Sequence, residues 1–128
     1  MKKISVIIPH YNGFDTLNNC ISSLYNSLYN KLEIIVVNNN SSDDSIEKIS
    51  DLFNNIIIIN SSKNLGYAGG CNLGSKHSTC EYLLFLNNDT EHDYNWIEPL
   101  YNFIKDEDNV ASVQPKIKSL IDKEQFDY

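Results

Sequence analysis

The sequence predicts an α/β domain with a doubly wound, mainly parallel sheet and helices on both faces. Three observations lead to this prediction. The apolar segments are short and continuous rather than alternating, which is typical of strands that are buried on both sides. These segments are separated by stretches in which apolar residues recur every three or four positions, as in amphipathic helices. The chain has 128 residues, which is enough for one domain with its own hydrophobic core.

Each predicted strand is a run of mostly apolar residues bounded by polar ones. Isoleucine and valine are the main residues in the first three runs, and such β-branched side chains pack well on a pleated sheet. The predicted strands cover residues 4–8, 32–37, 56–59, 82–86 and 110–113.

The predicted helices lie between these strands, over residues 17–28, 46–53, 68–77 and 96–104. Asp44 and Glu47 are placed as a capping pair at the start of the second helix. Pro99 is compatible with the fourth helix only within its first turn, where backbone N–H groups have no helical partner. The alternation of buried strands with helices indicates a parallel sheet.

The charge balance excludes several classes of partner. The net charge is −7 and all ten basic residues are lysines, so we predict neither a nucleic-acid surface nor a patch for anionic membranes. No apolar run approaches the ~20 residues of a membrane-spanning helix. Because the chain has no arginine, the phosphates of a ligand would be neutralised by a metal ion, helix N-termini and lysines.

The cysteines and histidines are isolated in the sequence. Cys20, Cys71 and Cys80 lack a metal-binding spacing, and we interpret them as packing residues of a reduced, cytosolic chain. His92 follows Asp89 by three positions. We interpret this histidine as facing solvent.

Four polar segments follow the predicted strands, at residues 9–13, 38–43, 60–70 and 87–89. In a doubly wound sheet, ligands bind at the carboxyl ends of the strands, near the point where the strand order reverses. We therefore expect the four segments to cluster at one edge of the sheet. The competing interpretation is that loops after strands are polar in any protein of this class.

Asp89 is the candidate metal ligand, because it follows a buried strand directly. Side chains alternate along a strand, so Asn87 is expected to project on the same side as Asp89. Oxygen ligands at a strand end suit Mg²⁺ or Mn²⁺, which are held by one or two carboxylates together with ligand phosphates and water. The spacing alone leaves open a second interpretation, in which Asp89 is a turn or helix-capping residue.

The glycine-rich segment 64–74, NLGYAGGCNLG, differs from the known phosphate-binding loops. It lacks the Gly-Lys-Ser/Thr ending of a P-loop and the spacing of GxGxxG. Its glycines either permit a loop-to-helix turn or allow a bulky ligand to approach the backbone beside a helix N-terminus. Both interpretations stay open from the sequence.

Five segments in this order, ISVIIPHYNG, EIIVVNNNSSDDS, NLGYAGGCNLG, LLFLNNDT and VQPKI, resemble the family 2 inverting glycosyltransferases of GT-A fold. The nearest resemblance is to the rhamnosyltransferase-like branch, which builds bacterial surface polysaccharides. It covers essentially the whole chain. The resemblance implies a Rossmann-like half that binds a nucleotide-diphospho-sugar, such as a UDP- or dTDP-sugar, with a divalent metal. It also implies a glycan or lipid-linked acceptor and a cytoplasmic enzyme at the inner face of the membrane.

The resemblance also implies roles for individual residues. Pro9 and Tyr11 would border the base pocket, and Asn38 would face the base. The metal would be held by Asp89. The other residues implied in nucleotide-sugar binding are Asn12, Asn40, Asn64, Gly66, Gly70, Asn72, Asn87 and Asn88.

Two departures from the family pattern bear on function. Asn38 stands where the family commonly has aspartate, so the base would be contacted by an amide instead of a charged group. The family's catalytic base is a carboxylate from the second half of the enzyme, which we expect beyond residue 128. We therefore expect residues 1–128 to be a single domain, truncated before the acceptor-binding half, that binds donor without transferring sugar.

Two other classes of function compete with this one. A nucleotidyltransferase would need a basic side chain in the loop after the first strand, where this chain offers only a histidine. A non-catalytic sugar-nucleotide-binding module, or an inactive remnant of the enzyme, is compatible with the sequence. The surface where a second half would pack is expected to promote self-association.

Overall fold

The computed structural model describes residues 2–121 and contains strands and helices in strict alternation. In chain order the elements are β1 (Ile4–His10), α1 (Phe14–Tyr25), β2 (Leu32–Asn38), α2 (Ser45–Leu52), β3 (Ile56–Asn60), α3 (Gly66–Ser75), β4 (Tyr82–Phe85) and α4 (Ile97–Ile104). The strands form one sheet in the order β3-β2-β1-β4, and all neighbouring pairs are parallel. The predicted α/β class with a parallel sheet is confirmed.

The two faces of the sheet are covered by different helices. Val6, Ile8 and Val36 point to the face that is covered by α1, α2 and α4. Ile7 and Val37 point to the opposite face, where α3 packs on β1 and β2. Helices therefore lie on both faces, as the continuous apolar strands predicted.

The strand order reverses beside β1, which lies between β2 and β4. From β1 the chain moves outward through β2 to β3, and it then returns to place β4 on the other side of β1. His10, Asn38 and Asn60 are in register at the carboxyl ends of β1, β2 and β3. Polar residues that follow these strands are thereby brought to one edge, at the reversal point where doubly wound sheets bind ligands.

The predicted fifth strand at 110–113 is wrong. Within residues 2–121, this segment is irregular, and the N–H of Val110 closes a turn onto the carbonyl of Glu107 at 3.2 Å. Only two of its four residues are large and apolar, and a strand requires a neighbouring strand to accept its hydrogen bonds. The sheet in the described part of the chain therefore ends at β4.

The limits of two helices differ from the prediction. The first helix ends at Tyr25, because the N–H of Leu28 bonds to the carbonyl of Tyr94 instead of continuing the helix. At α2, Asp44 lies at the predicted N-cap position, but its side chain makes no capping hydrogen bond. Asp43 takes this role by accepting from the backbone N of Ser45 at 3.3 Å and from its Oγ at 2.5 Å.

The remaining helix predictions agree with the structure to within a few residues. The third helix begins at Gly66 and ends at Ser75, two residues earlier at each end than predicted. Pro99 is the third residue of α4 and lies in its first turn, as expected. Within residues 2–121, the structure has no helix whose length and apolar character would let it cross a membrane.

Candidate functional site

The loops after β1 and β2 are joined by a set of side-chain hydrogen bonds, which we call the loop clasp. Oδ1 of Asn12 accepts from the N–H of Ser42 at 2.8 Å, and its Nδ2 donates to Oγ of Ser42 at 3.2 Å. The backbone N–H of Asn12 donates to Oγ of Ser41 at 3.1 Å, and that of Gly13 donates to Asp43 Oδ2 at 2.7 Å. These bonds connect segments about 30 residues apart in sequence, so the two loops form one rigid unit.

Two of the predicted binding residues have a backbone reason to be asparagine. Asn12 has φ of 55° and Asn40 has φ of 64°, which places both in the left-handed region. Asparagine tolerates this conformation better than other residues with a side chain. Both amide ends of Asn12 are also occupied by Ser42 in the loop clasp. The structure therefore places both residues at the predicted edge, where they shape the loops.

Asn38 is held in place at the end of β2. Its Oδ1 accepts from the N–H of Ser41 at 2.8 Å, and its Nδ2 donates to Oδ1 of Asn60 at 2.9 Å. An amide oxygen has two lone pairs, so one acceptor position of Asn38 remains for a ligand. Tyr11 lies on the loop after β1, with half of its side chain exposed.

The glycine-rich segment begins α3 at the same edge. Oδ1 of Asn64 accepts from the N–H of Gly66 at 2.8 Å, which closes a turn just before the helix. Gly66 has φ of 68°, and a Cβ atom there would meet nothing within 4 Å, so this side of the backbone is open. The N-terminus of α3 therefore lies beside an accessible stretch of backbone, while Asn72 is exposed on the helix surface.

Gly70 has a packing role in the structure. A Cβ atom at this position would lie 2.8 Å from Cβ of Pro9 and 3.2 Å from Nδ2 of Asn39. Gly70 therefore allows α3 to pack closely against the end of β1, and it does so inside the protein. Pro9 is likewise buried in β1. Both residues are buried packing residues where α3 contacts the end of β1.

Asn39 is a site residue that the sequence analysis missed. It is buried, its Nδ2 donates to the carbonyl of Gly66 at 3.1 Å, and its Oδ1 has no partner within the described chain. Asn39 thereby attaches the glycine-rich segment to the end of β2. The signal in the sequence was its position in the middle of three consecutive asparagines, but nothing distinguished it from its neighbours.

The segment after β4 reaches the same edge. The N–H of Leu86 donates to the carbonyl of Ile7 at 3.0 Å, which extends the ladder with β1 by one bond. Beyond it, Asn88 points inward and places its Nδ2 2.9 Å from Nδ1 of His10, whereas Asn87 and Asp89 are exposed. The structure thus puts Asn87 and Asp89 on the outer side of the turn, with Asn88 anchored between them.

Asp89 lines a cavity of about 230 Å³ between the start of α1 and the turn after β4. The other residues around this cavity are Asp15, Thr16, Asn19, Thr90, Glu91 and Leu120. Within residues 2–121, no group of three or more histidine, cysteine or acidic residues is arranged to hold a metal ion. A cation at Asp89 would therefore need further ligands from a bound molecule or from water.

His10 was not predicted as a site residue, and the structure buries it beneath the site. Its ring lies between Oγ of Ser45, 2.8 Å from Nε2, and the amide of Asn88 on the other side. Burial lowers the pKa of His10, although nearby Asp43 opposes this. The imidazole is thus kept neutral, with one nitrogen donating and one accepting.

The prediction that His92 faces solvent is wrong. The ring is half-buried and stacks on Trp96 with centroids 4.5 Å apart. Its Nδ1 lies 2.7 Å from Oγ of Ser23, and its Nε2 lies 3.1 Å from Oγ1 of Thr90. Burial lowers the pKa of His92 to about 4, so the neutral ring fixes the turn after Asp89 onto α1.

The cysteines behave as packing residues in the described structure. All three are free thiols, and both Cys20 and Cys71 are buried. Burial raises the pKa of Cys20 to about 11 and also raises that of Cys71. Neither thiol is activated as a nucleophile at neutral pH.

Comparison with known proteins identifies relatives of this chain. Residues 5–126 match glycosyl transferase family 2. An uncharacterized glycosyltransferase of Haemophilus influenzae is 31% identical over 124 residues, which cover 94% of this chain and 38% of the relative. A poly(ribitol-phosphate) beta-glucosyltransferase of Bacillus spizizenii is 35% identical over 113 residues, covering 81% of this chain and 17% of the relative.

Solved structures share the fold. Staphylococcus aureus TarS 1–349 in complex with UDP has a TM-score of 0.73 at 22% identity, covering 91% of this chain and 40% of that one. The mannosyltransferase PcManGT of Pyrobaculum calidifontis, in complex with GDP-Man and Mn²⁺, has a TM-score of 0.63 at 22% identity. The match covers 70% of this chain and 28% of that one. The chain thus spans less than half the length of these relatives. Since the family match extends over nearly all of its residues, the chain belongs to glycosyl transferase family 2.

Proposed function

We propose that this chain forms the donor-binding part of an inverting, metal-dependent glycosyltransferase that uses a nucleotide-diphospho-sugar. The observation that carries the proposal is the meeting of four polar segments and the N-terminus of α3 at the carboxyl edge of the sheet, in a chain of this family. A helix N-terminus and open backbone favour a diphosphate. UDP and GDP-Man in the two structural neighbours support a nucleotide ligand.

The base and ribose would lie over the loops after β1 and β2. Tyr11 offers an exposed aromatic ring for contact with the base. Asn38 would accept an N–H of a uracil or thymine base through its second lone pair. Asn87 would lie by the ribose on the outer side of the β4 turn, while Asn12 and Asn40 hold the loops in shape beneath it.

The diphosphate would lie at the start of α3. Gly66 leaves space on its open side. Its own N–H is bonded to Asn64, so the diphosphate would accept from the N–H groups that follow it in the first turn of α3. Asn64 and Asn39 hold this turn from either side, and Asn72 borders it from the exposed surface of the helix. Backbone N–H groups would then replace the arginines that this sequence lacks.

Asp89 would hold the divalent cation, Mg²⁺ or Mn²⁺. Its carboxylate is exposed on the outer side of the turn, and a single carboxylate is sufficient when phosphates and water complete the coordination. When bound, the cation stabilises the charge of the departing nucleoside diphosphate. The Mn²⁺ named with the mannosyltransferase neighbour supports this choice of ion.

The intact enzyme would transfer the sugar by a single displacement at the anomeric carbon. A carboxylate outside residues 1–128 would deprotonate the hydroxyl of a glycan or lipid-linked acceptor. The poly(ribitol-phosphate) beta-glucosyltransferase and a poly-beta-1,6-N-acetyl-D-glucosamine synthase of Staphylococcus aureus among the relatives support a bacterial polysaccharide or related polymer as the acceptor or product.

The same proposal gives the present chain a donor-binding role without transfer. Leu83 and Phe85 of β4 are 40% and 44% exposed on the face that α3 leaves open, which favours self-association of the isolated chain. A non-catalytic donor-binding module is the second candidate function, and it predicts the same binding. An assay with donor and acceptor tests whether residues 1–128 transfer sugar by themselves. We expect slow hydrolysis of the donor and no transfer to the acceptor.

Calorimetry with UDP and Mn²⁺ tests the proposal. We expect Asp89→Ala to lose most of the metal-dependent affinity, because the carboxylate is the protein's direct ligand to the cation. The matched control is Asp93→Ala, which removes an exposed carboxylate four residues away. Equal affinities in both variants and the unaltered chain, with folding intact by circular dichroism, would show that Asp89 is a turn residue.

A further inference from the structure

A row of polar groups runs beneath the candidate site from the β2–α2 loop to the turn after β4. Oγ of Ser45 donates to Oδ1 of Asp43 at 2.5 Å, and it lies 2.8 Å from Nε2 of His10. On the far side of the ring, Nδ1 of His10 lies 2.9 Å from Nδ2 of Asn88. We call these four residues the His10 relay. Its two central members, His10 and Ser45, are 1% and 0% exposed.

The carboxylate at one end sets the direction of every bond in the His10 relay. Hydrogen bonds from Ser45 and from the backbone of Gly13 lower the pKa of Asp43, which is therefore ionised and can only accept. The hydroxyl of Ser45 must donate to it, so its oxygen accepts from Nε2–H of His10. A neutral imidazole that is protonated on Nε2 has an acceptor at Nδ1. That acceptor requires the NH₂ group of Asn88.

The opposite direction leaves a clash at the carboxylate. Suppose that Asn88 turned its oxygen to the Nδ1–H of a neutral His10. Nε2 would then accept a hydrogen bond from the hydroxyl of Ser45, which could no longer donate to Asp43. Two oxygens without a proton between them, those of Ser45 and Asp43, would then face each other at 2.5 Å, and the charge-assisted hydrogen bond to the carboxylate would be lost. Burial of His10 disfavours the imidazolium, which is the remaining way to satisfy both ends.

The anchored amide lies between the two exposed residues of the turn. Asn88 points inward, whereas Asn87 and Asp89 face outward on either side of it. The chain has little freedom to turn Asp89 while the neighbouring Asn88 is bonded to the buried ring of His10 at the end of β1. The His10 relay thus connects the loop clasp, through Asp43, to the turn that carries the candidate metal ligand.

We propose that His10, Ser45 and Asp43 are positioning residues, which hold the Asn88 amide in one orientation and thereby set the carboxylate of Asp89 for the cation. This inference rests on the proposed function. It assigns His10 no contact with donor or metal. Residues that orient a metal ligand typically affect metal affinity by ~10–100-fold when they are removed, so the effect belongs to the metal-dependent part of binding.

The first test reads the ring directly and needs no ligand. Long-range proton–nitrogen spectra of the histidine-labelled chain report which ring nitrogen carries the proton. We expect His10 to be neutral at pH 7 with its proton on Nε2. A proton on Nδ1, or an imidazolium at pH 7, would overturn the proposal.

The second test separates positioning from stability. UDP is titrated with and without Mn²⁺ into the unaltered chain, Ser45→Ala, Ser45→Thr and Ser5→Ala. Ser5 is a matched control, because it is equally buried and also donates to a carboxylate at 2.5 Å, that of Glu33 at the opposite end of the sheet. We expect Ser45→Ala to lose ~10-fold of the affinity gained with Mn²⁺ while metal-free binding persists. Ser45→Thr, which keeps a hydroxyl, is expected to recover it.

The outcomes distinguish this inference from the proposed function. Equal Mn²⁺-dependent gains in folded Ser45→Ala and Ser5→Ala would overturn the positioning role. If the unaltered chain itself does not bind UDP, the proposed function fails, and the positioning role fails with it whatever the ring spectra show. A proton on Nε2 together with a selective loss in Ser45→Ala supports both.

Discussion

Asparagines at the edge of the sheet were recognised from the sequence as a group, but their individual roles depend on where each side chain points. Asn12, Asn38 and Asn40 are implied as binding residues by the family resemblance, and in the structure each also has a role in holding its loop. Asn39 and His10 were missed because Asn39 looks like its two asparagine neighbours and His10 has no second histidine or acidic residue nearby in the sequence. Their partners lie 27 and 35 residues away along the chain, and no local spacing could reveal them.

The amide at position 38 gives a prediction at the scale of one residue. Asn38→Asp offers a charged acceptor to the N3–H of a uracil base, and hydrogen bonds to charged groups exceed neutral ones by about 1 kcal/mol. We expect the dissociation constant of UDP to fall ~5-fold, measured by calorimetry at fixed Mn²⁺. The substitution removes the NH₂ group of residue 38 that donates to Asn60. The Asn60 amide offsets this loss by rotating to donate its own NH₂ group to the new carboxylate.

The control for this prediction is Asn40→Asp, which adds the same charge two residues away on an exposed side chain. Added negative charge near a diphosphate weakens binding unless it makes a specific contact. Tightening in both variants, or weakening in both, would mean that Asn38 does not contact the base.

At the scale of secondary structure, the sequence was most informative where apolar runs were long. The first three strands and the helices between them were predicted to within a few residues, because burial on both faces leaves a continuous apolar run. The fifth strand failed because a short run cannot reveal whether a partner strand is available. The end of α1 was missed because it is set by a bond from Leu28 to distant Tyr94.

The packing of α3 on the sheet gives a prediction at this scale. A Cβ atom at Gly74 would lie 2.4 Å from Cγ2 of Ile7 and 3.0 Å from Cγ2 of Val37. We expect Gly74→Ala to destabilise the fold by ~1–3 kcal/mol, as overpacking in a core typically does. Denaturant unfolding measures this change.

Asn72→Ala is the matched control in the same helix, since position 72 is exposed and alanine favours helices. We expect it to leave the free energy of unfolding nearly unchanged. A Gly74→Ala variant as stable as Asn72→Ala would mean that α3 can move away from the sheet at no cost.

The whole molecule is held by buried polar networks at both ends of the sheet. At the amino end, Glu33 accepts from Ser5 and from the hydroxyl of Thr79 at 2.5 and 2.6 Å. Burial opposes ionisation of Glu33, but these bonds and Lys3 leave its pKa lowered. At the carboxyl end, two neutral histidines, His10 and His92, join loops to the core. Such networks were invisible in the sequence because each connects distant segments.

These histidines predict how stability depends on pH. The pKa of His92 is about 4 in the folded chain and that of His10 is also lowered, whereas an unfolded histidine titrates near ~6.5. Above pH ~6.5 both histidines are neutral in the folded and in the unfolded chain, and their contribution to stability is fully present. Between ~6.5 and 4 the unfolded chain binds more protons, so the free energy of unfolding falls as the pH falls.

Denaturant unfolding at pH 7.5, 5.5 and 4.5 measures this dependence. We expect His92→Gln to be less stable than the unaltered chain at pH 7.5. Its free energy of unfolding should, however, decrease less between pH 7.5 and 4.5. His77→Gln, which changes an exposed histidine, is expected to follow the unaltered chain. Parallel curves for His92→Gln and the unaltered chain would assign the acid loss to other groups.

The loop clasp has a consequence for the chemical lifetime of the protein. Asn12 and Gly13 form an Asn-Gly pair, a sequence in which the glycine nitrogen readily attacks the asparagine side chain to give a succinimide and then isoaspartate. Here that nitrogen donates its hydrogen to Asp43, and the side-chain amide is bonded at both ends to Ser42. Both the attacking nitrogen and the target amide are therefore engaged in hydrogen bonds in the folded chain, which restrict the rotation that the attack requires. We therefore expect Asn12 to be protected from deamidation while the loop clasp is closed. Isoaspartate at position 12 would mark molecules in which the loop clasp has opened.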